Sequence, residues 1–108
     1  MKSLKEVGTE YLNYLKEKGL SDRSIYTYGN DLKQITAFFG EDKEIDKVLI
    51  PHVGRFLKSD ELLKKKDLDR AKPTIDKTIR FFRMLMLWAK EQGYIENLPL
   101  PKVMMGKN

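Results

Sequence analysis

The sequence predicts an all-α fold, a compact bundle of four to five helices, and three observations carry that prediction. Apolar residues recur at the 3.6-residue period of a helix along the longer segments. Those segments open on serine or proline and close on glycine, the residues that satisfy helix starts and stops. No stretch shows the apolar/polar alternation of a half-buried strand.

The first helix reads Ser3 to about Lys18. Ser3 and Glu6 have the spacing of a capping box, in which each side chain satisfies a backbone amide at the helix start. Leu4, Val7, Tyr11, Leu12 and Leu15 form its apolar stripe, and Gly19 supplies a left-handed stop. Ser21 caps a second helix that ends near Phe39, before Gly40. At 100° per residue Ile25, Tyr28, Leu32, Ile35 and Phe39 fall within roughly 80° of arc. Arg23, Tyr26, Thr27, Asn30, Lys33 and Gln34 occupy the other side.

Glu41 to Leu49 reads as a polar connection, and Pro51 suits the first turn of a third helix that buries Val53, Phe56 and Leu57, with Leu63 a further candidate. Ser59 to Lys72, which contains Lys64-Lys65-Lys66, reads as a ragged helix end or a mobile basic loop. Pro73 opens the last long helix, the fourth, which runs to about Gln92 before Gly93. Ile75, Ile79, Phe82, Met86 and Ala89 cluster within about 80° of arc. From Phe81 to Ala89 apolar residues occupy nearly the whole circumference, so this half is central to the core or covered by another surface. Leu98-Pro99-Leu100-Pro101 cannot continue a helix and reads as a semi-rigid exit. The domain is therefore drawn over residues 1–98, with 99–108 as an exit segment.

The composition, 41% apolar and 34% charged in 108 residues, is that of one soluble domain. The absence of cysteine excludes disulfides and thiolate metal sites, and a single histidine makes a transition-metal site unexpected. No apolar run approaches the ~20 residues of a membrane span, and the N-terminus lacks a signal-peptide core. A cytoplasmic protein that needs no cofactor is expected. The net charge of +5 makes a polyanionic partner plausible, and most of the surplus lies between Arg55 and Lys90.

The order of elements adds a resemblance. Tyr11-Leu12…Gly19-Leu20-Ser21…Ser24…Tyr28…Asp31-Leu32…Phe38-Phe39 is similar to the opening of the N-terminal core-binding domain of phage integrases and tyrosine recombinases. Pro51-His52-Val53…Phe56-Leu57, Thr74-Ile75…Ile79…Phe82 and Gly93-Tyr94-Ile95-Glu96-Asn97…Pro99…Pro101-Lys102 continue the pattern, which spans Leu4 to Lys102. The chain departs from it in Ser24, where a threonine is usual, and in Asn97-Leu98-Pro99, where Asn and Pro are usually adjacent.

The resemblance implies a SAM-like bundle that clamps one side of double-stranded DNA while a following C-terminal catalytic domain clamps the other. It implies that the second and fourth helices lie in or across the major groove. Carried over, it places Ser24, Tyr26, Thr27 and Asn30 near DNA from helix two, and Thr74 and Lys77 from helix four. The polar faces independently suggest Tyr26, Thr27, Asn30, Lys33, Lys77 and Arg80, whose hydroxyl, amide and basic groups suit phosphate positioning. Asn30 also has the geometry to read adenine. Arg23 and Lys72 complete the candidate DNA-binding set.

His52-Val53-Gly54-Arg55 matches the H-x-x-R motif with which tyrosine recombinases activate phosphate, yet it falls inside the third helix. No tyrosine follows Tyr94, and there is no further catalytic cluster. The expected chemistry is binding without strand cleavage, so the chain by itself is not expected to be an enzyme. An alternative is a helical protein-interaction module that docks through the apolar surface of helix four, with Met84 and Met86 lending adaptability. Another is a stand-alone regulator without a catalytic domain.

Overall fold

The computed structural model describes residues 2–101, and the end of the exit segment, 102–108, lies outside the described residues. Five α-helices run in the order α1 (Leu4–Glu17), α2 (Asp22–Phe39), α3 (Ile50–Phe56), α4 (Asp60–Leu63) and α5 (Lys72–Glu91). A 3-10 turn (Ile45–Lys47) precedes α3, and a two-stranded hairpin, β1 (Lys64–Lys65) with β2 (Leu68–Asp69), separates α4 from α5. The expected fourth helix is thus α5. The Cα radius of gyration, 13.2 Å, equals the ~13 Å expected of a compact chain of about 100 residues.

The predicted caps form as their chemistry requires. The Ser3 hydroxyl accepts from the Glu6 amide at 3.1 Å, and the Glu6 carboxylate accepts from the Ser3 amide at 2.8 Å. Ser21 Oγ accepts from the Ser24 amide at 3.2 Å to start α2. Gly19 follows α1 at φ 101°, a conformation that a side chain would strain.

The core lies where α1, α2 and α5 meet, closed below by α3 and α4. Leu4, Val7, Ile35, Val53, Phe56, Leu62, Phe81, Phe82, Leu85 and Met86 are fully buried. At Gly8 the Leu32 side chain of α2 packs directly on the α1 backbone: a Cβ there would stand 2.4 Å from Leu32 Cδ1. Phe82 lies 5.8 Å from Phe39 and 5.7 Å from Phe56, ring centre to ring centre, and joins three helices.

Five expectations need correction. Residues 59–72 are neither a ragged end nor a mobile loop but helix α4 and the hairpin, whose strands are too short for alternation to be legible. The connection Glu41–Leu49 is polar only in composition, because Ile45 and Val48 are buried and the Ile45 amide donates to Lys2 O at 3.0 Å. Ile25 is half-buried and stands outside the core cluster. In the α3–α4 region Leu62 is fully buried, whereas Leu63 is only partly so. The proline-rich run after α5 packs back on the body, with Pro99 and Leu100 buried.

Glu10 on α1 ties the segment before α1 to the segment after α5. Its carboxylate accepts from Lys2 Nζ at 2.8 Å and from the Tyr94 hydroxyl at 2.6 Å. Those two donors, Lys2 first and Tyr94 second, hold Glu10 below its ordinary value of 4.5. A carboxylate depressed in the folded state contributes stability above its ordinary range, and the contribution is lost as pH falls through the depressed value. NMR titration of the Glu10 side chain should therefore give a midpoint below 4.5. In Tyr94→Phe the midpoint should rise; an unmoved midpoint would mean that the hydroxyl contributes nothing.

Candidate nucleic-acid interface

Asp31 sits on the side of α2 that faces α5 and is only 2% exposed. A buried carboxylate needs paired charge or several donors. It has both: Lys77 Nζ approaches its oxygens at 2.6 and 2.7 Å, and the Thr78 hydroxyl donates to Oδ1 at 2.7 Å. Arg70, between the hairpin and α5, extends the network. Its guanidinium donates to Thr78 Oγ1 at 3.0 Å and to Leu62 O at 2.6 Å. Four segments, α2, α4, the end of the hairpin and α5, are thereby fixed to one another.

Above this network a shallow cleft of about 190 Å³ opens, lined by Arg23, Ser24, Thr27, Tyr28 and Lys77. Tyr28 forms its floor: the ring stacks on Phe81 at 5.1 Å, and Lys77 Nζ lies 6.0 Å from its centre. Ser24 Oγ accepts from the Ser21 hydroxyl at 3.1 Å, which leaves its own proton available to an anion. The Thr27 hydroxyl donates to Arg23 O at 3.0 Å, so it must rotate before it can serve a phosphate.

The predicted residues do not all converge on this cleft. Arg23, Ser24, Thr27 and Lys77 line it, and Arg80 and Thr74 are exposed on α5. Tyr26, 72% exposed, lies with Asn30 and Lys33 in an arc of roughly 60°, turned about 130° away from Asp31 around α2. The basic groups also differ in how far they are already neutralised. Lys77 is paired with Asp31, and exposed Lys72 pairs with Asp76 at 2.7 Å. Arg23, Lys33 and Arg80 make no ion pair among the described residues.

Asp31, Thr78 and Arg70 were absent from the predicted set. The signal was present in the first two: each begins a stripe that is otherwise apolar, Asp31-Leu32-Ile35 and Thr78-Phe81-Phe82-Leu85. A polar residue at a core position on each of two neighbouring helices is a prompt to pair them. Arg70 offered no periodic signal. The H-x-x-R pair has a local role, since His52 Nδ1 accepts from the Leu49 amide at 3.3 Å at the start of α3, and Arg55 is exposed.

A larger hollow of about 740 Å³ lies between the 3-10 turn, the start of α3 and the segment from Gly93 to Pro99; none of the predicted residues lines it. Among the described residues no helix is long and apolar enough to cross a membrane. No solved structure matches the chain. The sequence profile of one family, described as phage integrase, N-terminal SAM-like domain, matches residues 9–93. That span runs from α1 through α2, the cleft and all of α5 to the glycine stop, so the chain belongs to the phage integrase N-terminal SAM-like domain family.

Proposed function

We propose that this domain grips double-stranded DNA through α2 and α5, as the binding half of a site-specific integrase or recombinase. In this reading Arg23, Ser24, Tyr26, Thr27, Asn30 and Lys33 act from α2. Lys72, Thr74, Lys77 and Arg80 act from α5. A catalytic domain carried elsewhere in the parent protein performs strand cleavage, and this chain does not.

The observation that carries the reading is the Asp31–Lys77–Thr78 lock beneath the cleft. Two helices held at a fixed separation present their polar residues at one spacing, and a pre-ordered surface loses little entropy when it meets a phosphate backbone. Because Asp31 offsets the charge of Lys77, Arg23 and Arg80 carry the larger share of phosphate neutralisation. The protein-docking alternative rested on the apolar half of α5. Phe81, Phe82, Leu85, Met86 and Ala89 are consumed by the core, which leaves Leu87 at 39% exposure.

Binding by the isolated domain should be weak, with dissociation constants of roughly 10⁻⁴–10⁻⁶ M, and steeply salt-dependent. Arg23→Ala with Arg80→Ala should flatten the plot of log affinity against log salt by about two units, about one per lost phosphate contact, with helical content unchanged. A slope equal to that of the wild type would remove the two-helix reading.

A further inference from the structure

We propose that the hairpin Lys64–Asp69 is an additional DNA contact, which lays Lys65, Lys66 and Leu68 on the duplex beside the start of α5. The proposal rests on the DNA-binding reading and extends it to an element outside the two helices.

The hairpin is solvent-facing throughout, from Lys64 to Asp69. Its register pairs Lys64 with Asp69 and Lys65 with Leu68. Side chains on a strand alternate between faces, so directly paired residues share one. Lys64 therefore shares its face with an acid, Asp69, although the two make no ion pair, whereas the opposite face carries Lys65 and Leu68 with no carboxylate between them. Leu68 is 73% exposed, and neither Lys65 nor Lys66 makes an ion pair among the described residues. The remaining acid, Asp67, stands in the turn. A lysine beside a bare leucine suits a phosphate and the apolar face of its sugar better than it suits water.

The hairpin is also held in place. Lys66 and Asp67 have φ of 53° and 66°, the left-handed region that tight hairpin turns use and that side chains with a Cβ disfavour. At its base the Arg70 amide donates to Leu63 O at 2.8 Å. The Arg70 guanidinium then reaches Thr78, the residue that bonds Asp31. The lock that sets α2 against α5 therefore also sets the hairpin, two residues ahead of Lys72. A two-stranded ribbon is narrow enough to enter a major groove or follow its edge.

The test compares salt slopes of duplex binding for the whole chain and its variants, with circular dichroism confirming the fold. Lys65→Ala with Lys66→Ala should lower the slope by about two units, at about 0.9 per phosphate contact. Lys47→Ala with Lys90→Ala removes the same charge from the 3-10 turn and the far end of α5, and should leave the slope within about half a unit of wild type. Leu68→Ser should weaken binding several-fold at every salt concentration without changing the slope. If the Lys65/Lys66 variant behaves like the Lys47/Lys90 control while Arg23→Ala with Arg80→Ala flattens the slope, the hairpin proposal fails and the two-helix reading stands. If wild type shows no salt-dependent duplex binding, both fall.

Discussion

Lys77→Ala is expected to destabilise the domain by about 3 kcal/mol, and Asp31→Ala by only about half as much. The asymmetry follows from where each partner is left. Without Lys77 the Asp31 carboxylate, 2% exposed, keeps one strong donor, the Thr78 hydroxyl, and water cannot replace the lost cation. Without Asp31 the Lys77 side chain, already 30% exposed, swings into solvent. Thr78 then turns its proton to Thr74 O, 3.2 Å away. Lys77→Met paired with Asp31→Leu should recover most of the loss, because a buried ion pair replaced by packed apolar groups is often neutral. Urea unfolding of the three variants decides the matter; equal losses for the two single variants would show that burial of Asp31 is not what makes the pair sensitive. The same experiment guards the DNA measurements, since Lys77→Ala should loosen the fold, whereas Arg80→Ala should not.

Phe82→Ala should be the most damaging single apolar truncation, costing about 3–5 kcal/mol. Phe82 is fully buried and its ring touches those of Phe39 on α2 and Phe56 on α3. Its removal opens one void at the junction of three helices. The α2–α5 pair cannot close into it, because the two helices are held to each other by the Asp31 network. Against a total of about 5–15 kcal/mol for a domain, that loss is a large share of the stability. A thermal melt should fall by 12 °C or more, at about 4–8 °C per kcal/mol. Leu87→Ala, at a half-exposed position on the same helix, should change stability by less than about 1 kcal/mol. A similar loss in both variants would mean that the core is not organised around Phe82.

The fold was legible where local chemistry decides local structure. Ser3 with Glu6, Ser21 and Gly19 each announce a helix end, and each does so in the structure. Legibility failed where two distant polar residues decide the outcome. Weighting every apolar residue of α5 equally centres its buried stripe on Ile75, Ile79 and Phe82. In the structure the stripe is turned by roughly 50°, onto Thr78, Phe81 and Leu85, because Thr78 must meet Asp31 across the helix pair. Ile75 and Ile79 are left half-buried at the edge. The hairpin was hidden for another reason: its turn is Lys66-Asp67 rather than the Asn-Gly or Asp-Gly that marks such turns. As for the candidate site, residue types indicated which faces are polar but not which basic groups are already matched by an acid.

Lys2 and Tyr94 both close on Glu10, and the Lys2 ammonium also lies 5.6 Å from the centre of the Tyr94 ring. The segment that leads into α1 and the segment that follows α5 therefore meet at one carboxylate. That junction lies toward the C-terminal end of α5, a helix about 30 Å long whose opposite end carries Lys72, Thr74 and Lys77. In mechanical terms Glu10 is a buckle that closes the chain between Lys2 and Tyr94. Load that reaches Lys2 or Tyr94 is passed through this one carboxylate into α1.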